Sequence, residues 1–74
     1  MQSLVNLDRL QVGSIIYYRL KPCEMPTNPN KLWAGKVLAM LPAIGLLNVE
    51  SVEEGYRGLH EGVWVEQIIS ISDY

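Results

Sequence analysis

Cys23 and His60 are the only cysteine and the only histidine in the 74-residue chain, so thiol–imidazole chemistry would have to run through that pair. A cysteine attacks as its thiolate and needs a cation, a helix N-terminus or a base beside it to ionise near neutral pH. Cys23 instead sits in the run KPCEMP, between two prolines and next to Glu24, where a neighbouring carboxylate opposes the thiolate. His60 is followed by Glu61, but in a strand successive side chains point to opposite faces, so the two form no local dyad. One histidine and one cysteine do not build a standard zinc site without several carboxylates. The chain also lacks a glycine-rich phosphate loop. These residues read as a non-catalytic protein with no metal, no cofactor and no small-molecule substrate. Cys23 is expected to be an ordinary loop thiol and His60 a surface or half-buried strand residue. A single cysteine permits no internal disulfide and points to a reduced, cytoplasmic compartment.

Recognition chemistry is better represented. Tyr17, Trp33, Tyr56 and Trp64 could offer ring faces to a cation, each contact being worth about 0.5–2 kcal/mol. The competing use of the two tryptophans is to fill the core, since large aromatics dominate the interior of small domains. Glu50, Glu53 and Glu54 could place an acidic cluster opposite a basic ligand. A second chemistry is nucleic-acid binding by Arg19, Lys21, Lys31 and Lys36, with Tyr17 and Tyr18 interleaved as stacking surfaces. Residues 1–45 carry five basic and two acidic side chains, net +3, whereas residues 46–74 carry one basic and six acidic, net −5. The isoelectric point near 5.2 weighs against nucleic acid, because such domains are usually strongly basic.

A third candidate is an apolar contact. Leu32, Leu38 and Met40 share the nominal outer face of one segment, and Leu46 lies beside them. A soluble monomer seldom exposes a contiguous apolar patch of that size. Either residues 1–11 cover it through Leu4, Val5, Leu7 and Leu10, or another chain does; the N-terminal segment is the preferred cover. The binding face expected from these considerations comprises Tyr17, Arg19, Leu38, Met40, Tyr56 and Trp64, its partner being a protein or a second copy of the chain.

The elements that must position these residues are short strands. Hydrophobic residues make up 49% of the chain, enough for a core, while six glycines and four prolines divide it into brief segments. Residues 12–21, VGSIIYYRLK, alternate Ile16, Tyr18 and Leu20 against Ile15, Tyr17, Arg19 and Lys21, the charged set facing water. Residues 22–30, with three prolines, form a long connection that is neither strand nor helix. Residues 31–41 are rich in helix formers, but Gly35, Pro42 and the preceding prolines favour a strand. If Lys36 faces water, Leu32, Ala34, Leu38 and Met40 point out, and Trp33, Val37, Ala39 and Leu41 point in. Gly35 is read as a bulge or sharp bend. Pro42 and Gly45 predict a tight turn into a strand over 45–54, with Leu47 and Val49 inward. After a GYRG turn, residues 59–67 continue as a fourth strand, with Leu59, Val63 and Val65 on one face. Residues 66–72 hold a tight turn and a short last strand. No segment supplies a crossover helix, so a parallel sheet is excluded. No run approaches the roughly 20 apolar residues of a membrane helix, and the N-terminus lacks the features of a secretory signal.

Three phrases, LQVGSIIYYR, LWAGKV and VWVEQIISI, resemble the SH3-like small-barrel superfold, which includes Tudor, chromo-barrel and KOW-type modules. The first resembles the entry strand. The second is similar to a W-x-A-x-V phrase of Tudor-type second strands, with Gly35-Lys36 spacing Ala34 from Val37. The third is similar to a closing strand, single 3₁₀ turn and final short strand. The resemblance spans about residues 12–72 and implies an all-β, five-stranded SH3-like barrel over 12–74 with an N-terminal arm over 1–11. It also implies that aromatics near strand ends hold methylated cations or proline-rich peptides. Fold likeness alone does not transfer a function.

Overall fold

The computed structural model describes residues 9–72. It is all-β: five antiparallel strands, β1 (Ile15–Tyr18), β2 (Trp33–Leu41), β3 (Leu46–Ser51), β4 (His60–Trp64) and β5 (Ile68–Ile71). They form one sheet in the order β4-β3-β2-β1-β5. Single 3₁₀ turns occupy Pro22–Glu24 and Val65–Gln67. Among the described residues no helix is long and apolar enough to cross a membrane. The expectations for Leu4, Val5 and Leu7 fall outside the described residues.

The core needs no second layer because the sheet covers itself. Ile16 and Tyr18 of β1, Val37 of β2, Leu47 and Val49 of β3, Val63 of β4 and Ile68 of β5 form a single buried cluster. Full burial of such side chains is worth about 1.5–3 kcal/mol each. A flat sheet would leave them wet on one face. The connection between the sheet's edges requires the curl. β4 and β5 are the outermost strands, yet only Val65–Gln67 separates them in sequence. Five flat strands would put those edges about 19 Å apart at a spacing near 4.8 Å. A 3₁₀ turn advancing about 2 Å per residue spans much less. The molecular extents of 31 × 27 × 21 Å agree, since no axis is as thin as a flat layer. Among the described residues no strand ladder joins β4 to β5, so the sheet is curled without being closed by hydrogen bonds.

Gly35 makes the tight curvature of β2 sterically feasible. It is buried, and a Cβ built there would overlap Cγ1 of Val49 and lie 3.3 Å from Cε1 of Tyr18. Gly45 closes the β2–β3 hairpin at φ 70°, a left-handed conformation that suits glycine.

Where β2 departs from simple alternation, the cause is a bulge. Val37 pairs with Val49 and Ala39 with Asn48, so Leu38 is an extra residue against β3. The bulge inverts the faces expected beyond it. Ala39 and Leu41, expected inward, are exposed, and Leu41 is 55% accessible. Met40, expected outward, packs against the core. Ala34 lies on the outer face as expected, opposite Tyr17, yet is largely covered at 9% exposure; its N–H donates to Glu53 Oε2 at 2.9 Å and its carbonyl accepts from Val52 N–H. Leu59, expected inward, is 60% exposed because β4 starts one residue later. The first strand is also shorter than 12–21: Val12 and Gly13 form a turn, and Pro22 begins a 3₁₀ turn where no helical turn was expected.

A buried glutamine ties the two edges together. Gln67 Nε2 donates to the carbonyl of Arg19 at 2.9 Å, and its Oε1 accepts from the Trp64 N–H at 2.8 Å. Arg19 N–H in turn donates to the Gln67 carbonyl at 3.1 Å. The end of β1 is thereby stitched to the corner between β4 and β5.

Candidate functional site

The most chemically structured concavity is an open aromatic cleft of about 200 Å³. Its lining combines the aromatic Tyr18, Trp33 and Tyr56 with the apolar Leu20 and Leu59 and the acidic Glu61. Alternation explains how Tyr18 and Glu61 meet there. Tyr18 faces inward from β1, and Glu61 shares the inward face of β4 with Val63. Trp33 opens β2, and Tyr56 belongs to the loop between β3 and β4. The two rings meet edge to face, with centroids 5.2 Å apart and planes at 82°. That geometry matches the favoured arrangement of ring quadrupoles.

The loop holding Tyr56 is anchored by Glu53. One carboxylate oxygen accepts the Ala34 N–H; the other meets Lys31 Nζ at 3.4 Å. Glu53 N–H donates to Ser51 Oγ, and Tyr56 N–H donates to the Glu53 carbonyl. Lys31 Nζ also lies 4.6 Å from the centroid of Trp33. The tryptophan wall therefore already carries one cation from its own chain.

The cleft is electronegative. Burial pushes Glu61 above the usual carboxylate range, and the charge of Glu24 adds to the shift. Burial also raises the Tyr18 hydroxyl well above a normal phenol, with Glu61, Glu53 and Glu24 each contributing. Among the described residues no basic side chain pairs with Glu61; the ion pairs join Lys31 to Glu53 and His60 to Glu50.

A second concavity is an apolar groove of about 250 Å³ lined by Leu10, Met40, Pro42, Leu46 and Val65. Beside it the hairpin tip exposes Leu41 and Ile44 at 55% and 58%. Residues 37–49 contain no charged side chain.

The expected binding residues do not line one concavity. Tyr56 belongs to the aromatic cleft, and Met40 to the apolar groove. Leu38 is the half-buried bulge residue. Trp64 is half-buried, with Lys21 Nζ 4.8 Å from its ring centroid. Tyr17 is exposed on the outer face of β1, between Ala34 and Ser70 of the neighbouring strands, and Arg19 is exposed beyond it. Of the basic residues, Lys31 is held by Glu53 and Trp33, Lys21 lies over Trp64, and Lys36 is exposed opposite Glu50 in the β2–β3 register.

Cys23 is an exposed thiol, and His60 is exposed beside Glu50 at 4.0 Å. Among the described residues no group of three or more His, Cys, Asp or Glu could hold a metal ion. Glu61 and Gln67 were missed as site or scaffold residues, and Tyr18 was read as an inward strand residue and a nucleic-acid stacking surface, not as part of this cleft. Glu61 did carry a signal: its parity with Val63 points it inward. No family model, no curated protein and no solved structure matches this chain.

Proposed function

We propose that the chain is a non-catalytic protein-interaction module, built as a small SH3-like barrel, that receives a partner protein's side chain in the aromatic cleft. The observation that carries this reading is the edge-to-face pair of Trp33 and Tyr56 lining one open concavity with Tyr18. Aromatic residues are enriched at interfaces because they offer large, rigid contact area with a polar tip. The barrel assignment draws support from the self-covering core, the edge strands joined by one 3₁₀ turn and the Gln67 stitch. A reducing, cytoplasmic-type setting suits the exposed thiol of Cys23.

Co-purification from the native host tests the reading. Proteins retained by the unaltered chain should be lost with Tyr56→Ala, which removes an exposed wall without touching the core. Equal retention by the two would end the cleft assignment.

Self-association is the second reading, favoured by the charge-free hairpin with Leu41 and Ile44 exposed. Light scattering should then show a dimer that Ile44→Glu converts to monomer. A nucleic-acid role has less support, since two of the four candidate cations, Lys31 and Lys21, meet acidic or aromatic neighbours within the chain.

A further inference from the structure

We infer that the side chain received by the aromatic cleft is cationic, a lysine or arginine of a partner segment, with Glu61 as its counter-ion. The inference rests on the cleft being the partner site and specifies which chemistry fits it.

Three observations converge. Glu61 is half-buried among aromatic and aliphatic side chains, and no basic residue of the described chain approaches it. A carboxylate in such surroundings loses solvation and is stabilised by a cation brought from outside. The rings beside it present negative faces, and Trp33 already attracts the Lys31 ammonium to 4.6 Å in the native fold. Lys31 does not itself line the cleft, but the contact shows that the Trp33 ring attracts a cation in this fold. Finally, Lys31 and Lys21 have neighbours of their own: Lys31 pairs with Glu53, and Lys21 lies over Trp64. Glu61 therefore has no ion-pair partner among the described residues, and a proline-rich or purely aliphatic ligand would bury its carboxylate without one. Its volume of about 200 Å³ suits a single extended side chain. An ammonium or guanidinium seated there would meet ring faces and a carboxylate together, and Arg would add a forked hydrogen bond.

The test uses the full chain and small probes: the N-acetyl methylamides of lysine, arginine and norleucine, titrated at millimolar concentration. Binding is read from NMR shifts of the Trp33 indole N–H and the Tyr18 and Tyr56 rings. The expected result is that the lysine and arginine probes shift these signals, the neutral norleucine probe does not, and Glu61→Gln weakens binding by about tenfold or more. A well-dispersed spectrum of the Glu61→Gln protein establishes that the loss is one of charge. Equal shifts from norleucine, or undiminished binding of lysine and arginine by Glu61→Gln, would overturn the inference while leaving an apolar partner site intact. Silence of the cleft signals toward both cationic probes also overturns it. The Tyr56→Ala co-purification then decides separately whether the cleft binds partners at all.

Discussion

Replacing Gly35 by alanine should destabilise this domain far more than the same change at Gly62, although both glycines lie in strands. At Gly35 the new methyl would overlap Cγ1 of Val49 and stand 3.3 Å from Tyr18 Cε1. Neither neighbour has room to withdraw, because Val49 is 0% and Tyr18 1% exposed. Overpacking a filled core costs about 1–3 kcal/mol. Losing glycine's freedom in the unfolded chain returns about 0.4–1 kcal/mol. The net loss is about 1–2 kcal/mol, and a domain of this size shifts by roughly 4–8 °C in Tm per kcal/mol. At Gly62 the added Cβ would meet Leu46 Cδ1 at 3.5 Å, an ordinary contact, so its stability should stay within about 0.5 kcal/mol of the parent. Urea denaturation followed by tryptophan fluorescence measures both variants, with calorimetry for Tm. Similar stabilities for the two would refute the close approach of β2 to β3, and with it the curl that brings Tyr18 and Trp33 to one cleft.

The other predictions concern the stitch, the loop and the titration of the cleft. Gln67→Ala should cost about 2 kcal/mol in denaturant unfolding, because the Trp64 N–H and the Arg19 carbonyl lose their side-chain partner; a loss below about 0.5 kcal/mol would show that the corner holds without it. Glu53→Ala removes the acceptor of the Ala34 N–H and the partly exposed Lys31 contact, for a loss of about 1 kcal/mol. The near-UV circular dichroism of the Trp33–Tyr56 pair should fall with it, and an unchanged spectrum would mean that the loop is anchored by other groups. Glu61 has a native pKa above its unfolded value, so the folded state holds its proton more tightly. Stability should therefore fall as pH rises from the ordinary carboxylate range through the raised value, and Glu61→Gln should flatten that part of the profile. Parallel pH profiles for parent and variant would remove Glu61 as the source.

Much of the framework was legible in local patterns. Alternation placed Ile16 and Tyr18 inward and Tyr17 outward, and it did the same for Leu47 and Val49 against Asn48. Pro42 and Gly45 marked the β2–β3 turn, and residues 66–72 marked a tight turn and short last strand, which the resemblance of VWVEQIISI to a barrel's closing segment implied to be a 3₁₀ turn. The errors cluster after Leu38. A bulge adds one residue to one strand, and its position depends on which partner residues the opposite strand supplies. Alternation counted along β2 alone could not detect it, so Ala39, Met40 and Leu41 were assigned to the wrong faces. Leu59 was misplaced because the loop before it ends one residue later than its apolar character suggested.

What the order of residues determined by itself is an antiparallel all-β chain with turns at its glycines and prolines, since backbone sterics and two-residue periodicity act between near neighbours. Tertiary structure alone decided that Tyr18, Trp33, Tyr56 and Glu61 share one cleft while Tyr17, Met40 and Trp64 lie elsewhere. Those groups come from four different segments and meet only when the sheet curls. The curl is set by space between chains, the room that Gly35 leaves beside Val49 and the reach of Gln67 to Arg19, and such distances are not written in any one stretch of sequence.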